Sequence, residues 1–100
     1  SDYELLDIIA SANLPGVVEA IAQRRELSDT VSGAIIDSDN EMAVFQLLKN
    51  PRTVISENNL AKIADKAANH EIWHEPFVYR PELTQKTVNK IAVHISGSLL

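Results

Sequence analysis

The sequence predicts an all-α chain of about three and a half stacked, antiparallel helix pairs, and three observations predict it. The first is a register of about 28 residues. Leu27/Ile55/Leu83, Ser28/Ser56/Thr84, Ile35/Ile63/Ile91 and Ile36/Ala64/Ala92 each keep one chemical type at that spacing. The start of the chain joins at a spacing of about 27: Ser1-Asp2 matches Ser28-Asp29, Ile8-Ile9 matches Ile35-Ile36, and Asn13 matches Asn40. The second is that each period holds two apolar segments with helical spacing, separated by a short break. The third is composition: 45% hydrophobic residues with three glycines and four prolines, and no strict period-two alternation.

We denote the two kinds of segment A and B. Ser1 with Glu4 reads as a capping box opening a B helix over 2–12. An A helix over 15–24 follows, with Pro15 in its first turn, Val17, Val18 and Ile21 as its apolar face and Arg24-Arg25 as its stop. Leu27 as staple and Ser28 as N-cap open the next B helix, 29–37, whose stripe contains Val31 and Ile35. The A helix over 40–50 carries Ala43 to Leu48 and stops at Asn50-Pro51, because proline lacks the backbone donor and restricts its predecessor. Ile55-Ser56 open a B helix over 57–68 with Leu60 and Ile63 inward. The A helix over 70–80 ends at Arg80-Pro81 and should be kinked by Pro76. Leu83-Thr84 open the last B helix, 85–96, with Val88, Ile91 and Ile95 on its stripe and Gly97 as its stop. Stacked pairs of this kind make a HEAT- or armadillo-like α-solenoid.

One hundred residues make one domain, 1–100, and entry in mid-register leads us to expect a fragment of a longer repeat protein. With no cysteine, disulfides and thiolate metal sites are excluded, and the cytoplasm is the expected compartment. No apolar run approaches the ~18 residues of a membrane span, and Ser1-Asp2-Tyr3-Glu4 lacks a signal-peptide layout. We therefore expect no membrane partner. Net charge is −5, with nine acids and three bases in residues 1–50 against five acids and six bases in 51–100. No stripe of clustered Lys and Arg follows from that distribution, so nucleic acid is not an expected partner.

The string Arg80-Pro81-Glu82-Leu83-Thr84 is preceded by His70-Glu71-Ile72-Trp73-His74-Glu75-Pro76-Phe77-Val78. It is echoed by Leu48-Lys49-Asn50-Pro51 and by Arg24-Arg25-Glu26-Leu27-Ser28. In these segments most of the chain resembles the bacterial domain of unknown function family 2336. The resemblance implies a helical solenoid similar to HEAT and leucine-rich-variant repeats, and it transfers no catalytic residue.

Four features are candidates for chemistry. His70-Glu71-Ile72-Trp73-His74 is a literal H-E-x-x-H. On a helix it sets two imidazoles on one face to hold zinc, with the glutamate as general base to a bound water. Catalysis also needs a third ligand and a substrate cleft, and the remaining histidine, His94, falls on the following B helix. His74 aligns with Val18 and Val44, which favours a partly buried, hydrogen-bonded imidazole over a ligand. Trp73 aligns with Val17 and Ala43 and is read first as core, second as an exposed anchor for a partner. Arg24, Asn50 and Arg80 recur at the ends of the A helices, where they either cap the last carbonyls or line an edge for an anion. Lys62, Lys66, Lys86 and Lys90, with His94, make the later B helices basic, while Asp2, Glu4, Asp7, Asp29 and Asp37 make the earlier ones acidic.

The reading that follows is a non-enzymatic scaffold without cofactor. It binds a protein or peptide along its B helices, through Lys62, Lys66, Lys86, Lys90, Trp73, Arg24 and Arg80, and its exposed repeat ends offer a route to self-association. The alternative is a zinc-binding protein or zinc hydrolase using His70 and His74.

Overall fold

In the computed structural model the described residues are 1–11, 14–24 and 26–99, with side chains through Val93. Among them run seven α-helices and no strand: α1 (Asp2–Ala10), α2 (Val17–Ala22), α3 (Asp29–Asp37), α4 (Glu41–Leu48), α5 (Glu57–Lys66), α6 (His74–Val78) and α7 (Gln85–Leu99). Two 3₁₀ turns, Ala67–Asn69 and Glu71–Trp73, stand between α5 and α6.

Local chemistry starts the B-type helices where the hydroxyl column predicts. The Ser1, Ser28, Ser56 and Thr84 side chains accept from the backbone N–H of Glu4, Val31, Asn59 and Thr87 respectively. Each bond satisfies one of the donors a helix leaves unpaired at its start. Asn40 does the same for α4 by accepting from Ala43 N–H. The A-type elements are shorter than expected. Helix α2 starts at Val17 instead of 15, entered through Gly16 at φ 85°, a left-handed conformation that a side chain disfavours.

The expected helix over 70–80 is not continuous. His70 lies outside any helix at φ −138°, Glu71–Trp73 form a 3₁₀ turn, and only His74–Val78 are α-helical. The late start puts Pro76 in the first turn of α6, where its missing N–H would be unpaired anyway. The expected kink therefore becomes a tolerated proline.

Packing arranges the helices in two rows. Helix α1 packs on α3, α3 on α5 and α5 on α7, while α2 packs on α4 and α4 on α6 and the preceding 3₁₀ turn. One apolar cluster fills the space between the rows, running from Ile9 through Val31, Ile35, Leu47, Leu60 and Ile63 to Ile91. The register is visible as burial: Ile35 and Ile63 are fully buried, and Ile91 is 6% exposed. Burial of a Leu or Ile side chain stabilises by about 1.5–3 kcal/mol, and each member of this column contributes on that order. Asn13, Arg25 and Leu100 lie outside the described residues, as do the side chains of His94 and Ile95.

Candidate functional site

Among the described residues the densest polar chemistry lies at the turns that follow α2, α4 and α6, which are joined by the same device twice. In the first joint Asn50 Nδ2 donates to Ala22 O at 3.1 Å and to Arg24 O, and Thr53 Oγ1 accepts from Leu27 N–H at 3.0 Å. In the second, Arg80 Nη1 donates to Leu48 O at 3.1 Å and Asn50 O at 2.8 Å, Nη2 donates to Thr53 O at 2.6 Å, and Glu82 Oε2 accepts from Ile55 N–H at 2.9 Å. Ala22 and Leu48 are the last residues of α2 and α4, and Leu27 and Ile55 share one register column. The turns after α4 and α6 thus satisfy orphan carbonyls at the ends of α2 and α4, respectively, and the amides just before the N-caps of α3 and α5.

Arg80 is buried, and its Nε and Nη2 complete a bidentate pair with Glu82 at 2.8 and 2.5 Å. All five guanidinium N–H donors are used, the geometry in which Arg cannot be replaced by Lys. Burial opposes the charge on Glu82. The Arg80 hydrogen bond and the amides of Ile55 and Glu82 itself outweigh that cost and hold the carboxyl below its ordinary value. The anion-edge reading is thereby corrected for Asn50 and Arg80. Asn50 and Arg80 are spent inside the molecule as caps, and they cap the preceding unit; Arg24 is exposed.

Trp73 is 2% exposed, and its indole N–H donates to Glu41 O at 2.9 Å. It is core, so the exposed-anchor reading is corrected: the ring fills the contact between the 3₁₀ turn and α4, a place for a large side chain. His70 stacks on this indole with ring centroids 4.0 Å apart, and its Nδ1 lies 2.6 Å from Glu41 Oε2. A carboxylate only accepts, so Nδ1 carries the proton. His74 is exposed, contrary to the partly buried position expected, and its Nε2–H donates to Ala67 O at 2.7 Å. The break at His70 removes the helical i, i+4 presentation that an H-E-x-x-H zinc site needs. Among the described residues no three His, Asp or Glu side chains stand where they could hold a metal ion.

The lysines do not form an uninterrupted basic face. Lys62 pairs with Asp37 at 3.0 Å, Lys66 reaches Ile36 O at 3.2 Å and Asp39 at 3.5 Å, and Lys90 pairs with Glu57 at 3.6 Å. These contacts tie α3 to α5 and α5 to α7, while Lys86 is exposed on α7. Beside Lys90, a groove of about 520 Å³ opens between α5 and α7, lined by Glu57, Asn58, Ala61, Asn89 and Val93.

Three residues that carry this geometry, Thr53, Asn59 and Glu82, are not marked by the sequence patterns above. Asn59 is buried and donates to Asp29 O and Asp29 Oδ1 across the α3–α5 contact. The signal that marks Glu82 is its position two residues after Arg80, close enough for the bidentate pair.

No helix among the described residues is long and apolar enough to cross a membrane. The family model described as an uncharacterised protein conserved in bacteria, DUF2336, matches residues 1–100. Neither the curated proteins nor the solved structures contain a match to the chain.

Proposed function

The chain belongs to this bacterial DUF2336 family, and from that premise we propose that it is a non-enzymatic α-solenoid scaffold that binds a protein or peptide partner. The observation that carries the reading is the row α1, α3, α5, α7, each helix packed on the next, beside a row of A-type elements joined by a recurring polar clasp. Units that bury their apolar faces only against neighbours build an extended surface, and such surfaces are used for recognition. The titratable groups of the joints are engaged with backbone, which suits architecture rather than acid–base chemistry. The α5–α7 groove, flanked by Lys90 and with Lys86 exposed on the same helix, is the segment of the B row we assign to a peptide. The cytoplasm is the compartment we propose, and fractionation of the parent cell checks it.

The reading is tested by placing a photo-cross-linking residue at Asn89 in the intact protein in cells, then measuring the affinity of the purified partner by calorimetry. Lys86→Glu should weaken binding about tenfold, the loss expected of a charge at an interface rim. Tyr3→Ala, at the far end of the B row, should leave it unchanged. Equal affinity for wild type and Lys86→Glu removes this face from the reading. Lys62 and Lys66 are poorer probes, because reversing them also breaks their contacts with Asp37, Asp39 and Ile36.

A further inference from the structure

We propose that the groove between α1 and α3 takes lysine side chains from a basic segment of a partner protein. This rests on the scaffold reading above and adds a second surface on the same row of helices, apart from the α5–α7 groove. The groove measures about 420 Å³ and is lined by Leu6, Ile9, Ala10, Ala34, Asp37 and Ser38. Both of its walls are helices of this chain.

The chemistry that fills such a space is shown at the next contact in the row. Moving the α1 positions on by 27 residues and the α3 positions by 28 gives Gly33, Ile36, Asp37, Lys62, Asp65 and Lys66 at the α3–α5 contact. There the two lysine side chains lie along α3, 33% and 35% exposed. Gly33 gives Lys62 its path, because the ammonium lies 3.6 Å from where a Cβ at position 33 would stand. Lys62 Nζ pairs with Asp37 at 3.0 Å, and Lys66 Nζ donates to Ile36 O at 3.2 Å, in the last turn of α3, where the helix dipole favours a cation. At the α1–α3 contact Ala34 and Ser38 stand where α5 has Lys62 and Lys66. Side chains that short cannot cross to α1, so the groove is open for want of two long side chains on a helix that is present.

Charge decides the class of occupant. Helices α1 and α3 carry Asp2, Glu4, Asp7, Asp29 and Asp37 and no basic residue. Asp37 is still 61% exposed with Lys62 beside it, and a carboxylate offers about four acceptor positions, so a second cation has room there. Leu6, Ile9 and Ala34 form an apolar bed for an aliphatic stem, the arrangement in which a lysine covers apolar surface and keeps its ammonium at the edge. An acidic segment meets repulsion from both walls, and a purely apolar one leaves Asp37 and the end of α1 without a counter-charge. A lysine-bearing segment matches the apolar bed, the carboxylate and the helix end together.

The probe is a short fluorescein-labelled peptide of alternating alanine and lysine, added to the complete chain at physiological salt and followed by anisotropy. We expect saturable one-to-one binding, lost when glutamine replaces lysine in the peptide. Ala34→Lys rebuilds the α3–α5 arrangement, so the chain's own side chain should fill the groove and weaken the peptide about tenfold. Ala10→Lys, at the exposed end of α1, should do the same without touching the core, and thermal melts of both variants report their folding. Asp37→Asn should weaken binding as well, whereas Asp65→Asn, the matching position on α5, should leave it unchanged. Absence of saturable binding overturns the proposal. So does binding that survives both lysine substitutions, or that falls equally with Asp65→Asn, the sign of a diffuse response to negative charge. Displacement of the peptide by spermidine at equal or lower concentration overturns it in favour of a free polyamine. Failure here with a partner that still depends on Lys86 leaves the scaffold reading standing.

Discussion

Among the described residues Arg80 makes the largest set of side-chain hydrogen bonds. Its five bonds reach Leu48, Asn50, Thr53 and Glu82, so removing the side chain leaves a partly buried carboxylate and three carbonyls without their donor. Breaking a buried pair by deleting one partner costs about 3–5 kcal/mol, and we expect Arg80→Ala to lose that much in urea denaturation. Arg80→Lys should recover little, since an ammonium lacks the fork that spans Glu82 and the carbonyls together. Glu82 makes the stability depend on pH. Its folded-state value lies below the ordinary one, so between the two the unfolded chain binds more protons and stability rises with pH. The contribution is complete above the unfolded value and lost as pH falls through the lowered folded value. Glu82→Gln should flatten this acid limb, and a melt series across the acid range reads it directly. Ser32 presents the opposite case: its Oγ is buried with no partner among the described residues. An unsatisfied buried hydroxyl costs about 1–3 kcal/mol, so Ser32→Ala should raise stability in the same assay.

At the scale of the element, the B-type helices were legible and the A-type ones only partly so. The B helices are specified locally, by a hydroxyl cap and an apolar stripe within one turn of each other, and α3 occupies the residues expected of it, 29–37. The A-type elements take their ends from side chains 26 to 32 residues distant, as when Asn50 and Arg80 finish α2 and α4 and the Trp73 indole fastens to Glu41 O. No local pattern contains those partners, so H-E-x-x-H offers a helical metal motif as an alternative although the fold breaks it at His70. The candidate site is only partly legible as a list of residues: Asn50 and Arg80 stand out at the ends of the A segments, whereas Thr53 and Glu82 and the direction in which all four act do not. Pro76 gives a test of this account. If it interrupted a helix over 70–80, Pro76→Ala would lengthen that helix and raise the far-UV circular dichroism signal. Because it sits in the first turn of α6, we expect no change in helicity and a stability change within about 0.5 kcal/mol.

At the scale of the whole molecule, the question is whether the two rows unfold as one body or unit by unit. In a stack held by nearest-neighbour contacts, stability is a sum of unit and joint terms, so damage at an end stays at that end. Ile35 and Ile91 occupy the same register column, yet α3 has a B-type neighbour on both sides and α7, among the described residues, on one. Truncating a buried isoleucine to alanine costs about 2–5 kcal/mol through lost contact and residual cavity. On the repeat reading, Ile91→Ala should speed amide hydrogen exchange at least tenfold in α7 and the facing part of α5, while α2 to α4 keep their protection. Ile35→Ala, in the middle, should lower protection along the whole chain. A globular body with one cooperative core behaves differently: both substitutions would raise exchange everywhere in proportion to the stability lost.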